Sequence, residues 1–257
     1  MSFSEALIAY RTIVRQEVGR FLKIWTQTLL PPVITTTLYF VIFGSFIGAR
    51  VGPIGGVSYM QFIVPGLVIM TVITSSFMNV VSSFYSAKFM HQIEEIMVSP
   101  APTWVVIGGF VTGGVLRGLL TGSIVLGTSL FFTDISVANV PVVLLFSLLT
   151  AILFSLGGLL NGIYAQSFDG MSIIPTFVLT PLTYLGGVFY PVSVLAPFWR
   201  AVSRLNPVLY MVDGFRAGFL GSSDVSIAVS FAILLLAVTA FGLFTVHLFR
   251  TGRGLRA

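Results

Sequence analysis

The stretch Phe62–Phe84, FIVPGLVIMTVITSSFMNVVSSF, contains no charged side chain, and the charge-free window around it extends from Arg50 to Lys88. About 20 apolar residues in an α-helix cross the hydrocarbon core of a bilayer, which is about 30 Å thick. This segment therefore reads as a membrane span. Five similar windows place further spans near 28–48, 103–132, 140–165, 171–189 and 225–249, with the span at 103–132 interrupted by Arg117.

The composition of the whole chain agrees. Of 257 residues, 56% are hydrophobic and 8% charged, against about 25% charged in a soluble domain. Mean hydropathy is +1.02. The expected fold is an all-α polytopic membrane protein with six transmembrane helices, forming a single transmembrane domain over 1–257. A soluble enzyme and a disordered chain are excluded. The absence of cysteine removes disulfides, thiolate metal sites and cysteine nucleophiles. Glu5 and the lack of an early apolar run argue against a cleavable signal peptide.

Six spans place both termini on one side. That side then carries Arg11, Arg15, Arg20, Lys23, Lys88, Arg250, Arg253 and Arg256, and the other carries Arg50, Arg200, Arg204 and Arg216. The excess of basic residues assigns the termini to the cytoplasm. The net charge of +5 is scattered between apolar runs, so it reads as topological and no nucleic-acid partner is expected.

Three segments do not fit the spanning pattern. In residues 2–25, Ser2 and Glu5 fit a capping box, and Leu7, Tyr10, Val14, Val18, Phe21 and Trp25 follow on one helical face. This predicts an interfacial helix against membrane lipid, with the same residues also serving as a charged anchor for the first span. In residues 87–100, Phe89, Met90, Ile93, Ile96 and Met97 form an apolar stripe beside Glu94 and Glu95, the only adjacent acids in the chain, and Pro100 and Pro102 stop the helix. A docking element and an ordinary interfacial helix are both compatible with that pattern. In residues 190–221, Pro191, Pro197 and Pro207 punctuate a run too apolar for a solvated loop and too short in each piece to span. Short helices dipping into the outer leaflet, or a folded external cap, satisfy both facts. Arg200 and Arg204 share a helix face there, and Asp213 with Arg216 form a possible i, i+3 pair.

The missing chemistry also narrows the function. No Asp or Glu lies inside a predicted span, so an ion-coupled carrier has no obvious carboxylate site. His91 and His247 form no credible catalytic dyad, and metal-ligand spacing is absent. Lys23 and Lys88 follow no phosphate-binding loop, so this chain is not expected to hydrolyse ATP. Arg117, near the middle of the third span, costs about 2.5–3.5 kcal/mol on insertion scales and should face protein or a hydrated cavity. It reads either as a contact for an anionic substrate or lipid, or as a structural bond to backbone carbonyls, with no intramembrane acid to pair with. Gly108, Gly109, Gly113, Gly114 and Gly118 suit close helix packing. Pro175, Pro181, Gly186 and Gly187 suggest a broken fifth span.

The run Gly187-Val188-Phe189-Tyr190-Pro191, then Pro197-Phe198-Trp199, Asn206-Pro207-Val208-Leu209-Tyr210 and Asp213-Gly214-Phe215-Arg216, resembles the signature of ABC-2 type transport permeases. Residues Ile93-Glu94-Glu95-Ile96-Met97-Val98-Ser99-Pro100 resemble that family's loop after the second span. Pro31-Pro32-Val33-Ile34-Thr35, Tyr59–Gly66 and Arg253-Gly254-Leu255-Arg256 extend the likeness over nearly the whole chain, nearest to the family's enterobacterial inner-membrane permeases.

The resemblance implies a half-transporter in the bacterial inner membrane: two copies of this chain frame the path, and two separate ATPase subunits bind ATP and Mg beneath them. It implies that residues 2–23 form a connecting helix and that 87–99 form a coupling helix, with Phe89, Ile93, Glu94, Glu95 and Met97 as its ATPase-facing residues. It also implies external re-entrant helices over 190–221, with Phe189, Tyr190, Pro191, Trp199, Arg200, Arg204, Tyr210 and Arg216 at the gate. The cargo class it implies is an exported amphipathic, lipid-like or glycan-containing molecule. An ion-coupled secondary transporter remains the alternative.

Overall fold

The computed structural model describes residues 1–254; Leu255 and Arg256, which entered the motif and charge readings, lie outside the described residues. Ten helices make up the described chain, with no β-sheet among the described residues.

Helix α1 spans Phe3–Lys23. Its capping box forms as the sequence predicts: Ser2 Oγ accepts the Glu5 N–H at 3.3 Å, and the Glu5 carboxylate accepts the Ser2 N–H at 2.7 Å. Helix α2 comprises Trp25–Thr28, Leu30–Tyr39, a π-helical stretch Phe40–Ile47 and a last turn Gly48–Val51. Pro31 and Pro32 lie at the start of its regular stretch, where no intrahelical N–H is required.

Helix α3, Tyr59–Phe89, opens on a second capping box between Ser58 and Gln61 and forms the axis of the bundle, with 83% of its apolar window buried. Helix α4 is the short Gln92–Val98. Helices α5, Thr103–Ser129, and α6, Val140–Tyr164, pack against α3 and against each other. Helix α7 runs over Gly170–Leu185 with a π-helical middle, Pro175–Leu179. Helices α8, Pro197–Leu205, and α9, Pro207–Leu220, follow, and α10, Ile227–Thr251, closes the chain at the edge of the bundle with 11% of its window buried.

Lipid is as apolar as leucine, so the helices are held by close packing rather than by exclusion of water. Gly158 of α6 lies directly against the Phe77 backbone carbonyl of α3, an approach that no side chain larger than hydrogen allows. The glycines of α5 serve two faces. Gly109 and Gly113 receive Ile13 and Glu17 of α1, and a Cβ on Gly113 would stand 2.6 Å from that of Glu17. Gly114 and Gly118 face α6 and α3 through Ser155 and Ser76. The predicted close-packing role of these glycines therefore holds, and one of the faces they open carries α1.

The span count differs from the sequence reading. Among the described residues, five helices are long and apolar enough to cross a membrane: Trp25–Gly44 within α2, then α3, α5, α6 and α10. The predicted fifth span is α7, whose length is about 24 Å of helix, short of the bilayer core. The break expected from its prolines is a π-helical distortion headed by Pro175, and the helix ends before Gly187, which takes a φ of 77°.

Candidate transport and coupling sites

The α4 end of the bundle presents one exposed surface. Met90 and His91 reverse the chain after α3, with His91 in the left-handed region at φ 59°. Ile93 is fully buried in a cluster with Val80, Phe84, Phe110, Ile163 and Phe249. The apolar stripe predicted for this segment is therefore divided: Ile93 and Ile96 turn inward, while Phe89, Met90, Met97 and Val98 are exposed beside Glu94 and Glu95. Ile93 anchors α4 and is not available as a surface contact. Phe89 also packs on Phe168 at 5.2 Å, and Lys88 Nζ donates to the Ile163 carbonyl at the end of α6 at 2.7 Å. His91 Nδ1 lies 3.4 Å from Glu94.

A polar cluster lies deeper, between α1, α3 and α5. Glu17, on the buried face of α1, accepts a hydrogen bond from Ser83 Oγ. Arg20 Nη2 donates to Glu17 Oε2 at 3.1 Å, to the Asn79 backbone carbonyl at 3.1 Å and to Asn79 Oδ1 at 2.9 Å. Arg117 Nη1 reaches the same Asn79 Oδ1 at 3.5 Å. Arg117 thus faces protein, as its cost in lipid requires, and it forms no ion pair with an acid among the described residues. Glu17 is linked to it through Arg20 and Asn79. The charge-free-window reading missed Glu17 because it treated α1 as a surface helix. Glu17 lies seven residues after Tyr10 and four before Phe21, on the face the sequence marks as apolar. The exposed basic residues of that helix are Arg11, Arg15 and Lys23.

At the opposite end, α9 is tied in by its buried ionisable groups. Arg216 donates to the carbonyls of Gly187 at 2.7 Å, Val188 at 3.2 Å and Phe62 at 3.3 Å, and its guanidinium lies 3.9 Å from the Phe62 ring centroid. Asp213 accepts the backbone N–H groups of Asp224 at 2.9 Å and Val225 at 3.0 Å. The i, i+3 ion pair expected between Asp213 and Arg216 does not form. Asp213 turns instead to the irregular backbone at Asp224–Val225, and Arg216 to that at Gly187–Val188 and to the first turn of α3.

Arg200 donates to the carbonyls of Ser193 and Leu195, whereas Arg204 is exposed, so the two do not act as one charged face. Tyr210 Oη donates to the Arg204 carbonyl at 2.7 Å, and Asn206 caps α9 through the Val208 N–H at 3.0 Å. Pro191 precedes a 3₁₀ turn at Val192–Val194, and Trp199 is half exposed.

Phe189 and Tyr190 belong to an aromatic group that joins α2 to α7. Tyr39 and Tyr184 hydroxyls meet at 2.9 Å, Phe189 stacks on Phe43 at 4.9 Å and on Tyr184 at 5.5 Å, and Tyr190 Oη donates to the Tyr184 carbonyl at 3.1 Å. Tyr39, Phe43 and Tyr184 carried no sequence signal distinguishing them from the other aromatics of the spans. Beside this group a cavity of about 730 Å³ is lined by Tyr59, Tyr190, Asp213, Arg216 and Asp224.

A helical membrane protein without a nucleotide loop, carrying a short exposed helix at one end and broken helices at the other, has the features of a transport permease. The family model of the ABC-2 type transporters matches residues 8–220, and the chain belongs to that family. It is a membrane component of such a transporter and not the ATPase, whose subunits partner with it. Relatives agree along its length. The chain is 55% identical to the inner membrane transport permease YadH of Escherichia coli strain K12, over 97% of this chain and 98% of that one. It is 28% identical to nodulation protein J of Rhizobium meliloti strain 1021, covering 89% and 88% of the two chains.

Proposed function

We propose that this chain is one half of the membrane portion of an ATP-driven exporter in a bacterial inner membrane, with two copies framing the path and two ATP-binding-cassette ATPases beneath them. The observation that carries the reading is α4, a short helix exposing Glu94, Glu95 and Met97 beside Phe89 at the end of α3, while Ile93 fixes it to the core. The name of the Escherichia coli relative, an inner membrane transport permease, supports the location. Both termini and the α4 end face the cytoplasm, in line with the excess of basic residues there. ATP and Mg bind in the partner ATPase, and this chain holds no cofactor.

In this reading α7 is the sixth crossing, completed by Gly186–Tyr190 rather than by one straight rod. Helix α1 is the connecting helix. Helices α8 and α9 are re-entrant in the outer leaflet, which gives the exposed Phe198, Trp199 and Leu205 an apolar surrounding. ATP binding closes the ATPase pair and displaces α4, and the buried Ile93 transmits that displacement to α3 and α5. The elements that yield are α2 and α7, both π-helical in part. Their aromatic contacts at Tyr39, Phe43, Tyr184 and Phe189 form the outer closure. Cargo must bind the inward- and outward-open states with different affinity for the cycle to have a direction. The aromatic lining supports an amphipathic, lipid-like or glycan-containing cargo. Family membership weighs against the ion-coupled carrier, which would work without an ATPase.

The test is charge reversal on α4. Glu94→Lys with Glu95→Lys should leave the protein inserted and folded while the ATPase no longer copurifies and export falls at least tenfold, the effect of placing two like charges in a matched interface. Normal copurification together with wild-type transport would remove these acids from the coupling role.

A further inference from the structure

We infer that the cleft between α1, α3 and α4 binds a phosphate group, with Arg20 as its direct ligand and Arg117 as a second positive charge behind it. Arg20 and Arg117 reach the same oxygen of Asn79, at 2.9 and 3.5 Å, and the one carboxylate in the cluster is Glu17. Two guanidinium groups and one carboxylate leave an excess positive charge among helices that are otherwise uncharged at this depth. Nε and Nη1 of Arg20, and Nε and Nη2 of Arg117, meet no acceptor among the described residues. Asn79 is neutral and completely buried, so it gathers the two cations without compensating either.

The cleft itself completes the case. It measures about 270 Å³, and Arg20 and its ion-pair partner Glu17 both line it, with Ser83, Ser86 and Gln92 on the polar side and Met90 on the apolar side; the Glu17 carboxylate is already engaged by Arg20 Nη2 and Ser83 Oγ. Arginine binds phosphate through a planar fork of donors, and several oxygens of one phosphate can be shared by more than one donor group. Polar and apolar walls together suit a phosphate that carries a glycerol backbone. The shared chemistry is a phosphate group, whether on an anionic phospholipid or free in solution. Its occupant would touch both α1 and α4, so the spacing of those helices would depend on the ligand. The inference does not rest on the export reading, because it concerns the permease alone.

The test uses the full-length permease purified in detergent without its ATPase. Thermal midpoint and retained lipid are measured with added phosphatidylglycerol, with diacylglycerol as the uncharged counterpart, and with inorganic phosphate. Phosphatidylglycerol should raise the midpoint and remain bound through purification, whereas diacylglycerol should do neither. Arg20→Gln should reduce retention about tenfold, the loss expected for one charge-assisted partner, and Arg117→Gln should reduce it less. Arg11→Gln, on the exposed face of α1, should leave retention unchanged. A midpoint shift of equal size with inorganic phosphate would assign the same site to the free ion. Equal effects of phosphatidylglycerol and diacylglycerol, or equal losses in the Arg11 and Arg20 variants, would overturn the site. The wild-type comparison decides the matter even if a variant fails to fold.

Discussion

Replacing Arg216 with methionine separates a brace from a gate. In the structure Arg216 is 5% exposed, and its guanidinium serves three carbonyls on two separate parts of the chain, at Phe62 and at Gly187–Val188. Methionine fills much of the same volume but offers no donor. Each buried carbonyl left without a partner costs about 1–3 kcal/mol, and the lost contact with the Phe62 ring adds up to about 2 kcal/mol. Relief of the buried charge returns several kcal/mol. The net loss is about 2–4 kcal/mol, which at about 2–4 °C per kcal/mol lowers the thermal midpoint by about 5–15 °C. Lysine should fall between the two, since a single ammonium keeps the charge but cannot span the same acceptors. The assay is the thermal midpoint of the monodisperse protein in detergent, read beside transport in membranes. A methionine variant with an unchanged midpoint and abolished transport would refute the bracing role and return Arg216 to direct contact with cargo.

Further outcomes follow from the same contacts. Gly158→Val should destabilise the α3–α6 pair by about 1–3 kcal/mol, because its side chain would meet the Phe77 backbone; a midpoint within 2 °C of wild type, about the shift for the low end of that range, would contradict the packing. Asn79→Leu leaves Arg20 and Arg117 without their shared acceptor, so it should cost more than Ser83→Ala, which leaves the Arg20–Glu17 pair in place; the ranking is checked by parallel thermal unfolding. Tyr39→Phe and Tyr184→Phe remove one hydroxyl contact each and should give no further loss when combined, since both act through the same bond, and a double variant showing the sum of two independent losses would break that assignment.

Much of this architecture was legible because lipid imposes a simple rule on charge. The windows around α3, α6 and α10 required only the absence of Asp, Glu, Lys and Arg over a span's length, and α5 the same apart from Arg117. The caps of α1 and α9 were readable from Ser2, Glu5 and Asn206, since capping is local. What escaped was tertiary. Glu17 looked like one charge on a surface helix until α1 was seen to pack on the glycines of α5. The Asp213–Arg216 spacing suggested an ion pair, but the unpaired backbone around Gly187 and Asp224 claimed both side chains. The meeting of Tyr39 with Tyr184 joins positions far apart in the chain and follows from no local pattern. The regular part of α7 is shorter than its apolar window because the helix stops at Leu185, before Gly186 and Gly187, whereas Pro175 and Pro181 are accommodated within it.

The coupling account stands on α4 seating in an ATPase, and the most direct measurement is mild-detergent purification of the tagged chain from its own host with quantification of stoichiometric partners. The account predicts a soluble subunit with a phosphate-binding Walker loop in equimolar amount, lost when Glu94 and Glu95 are reversed. A chain that is repeatedly isolated alone while its transport continues unaffected by ATP depletion would contradict it.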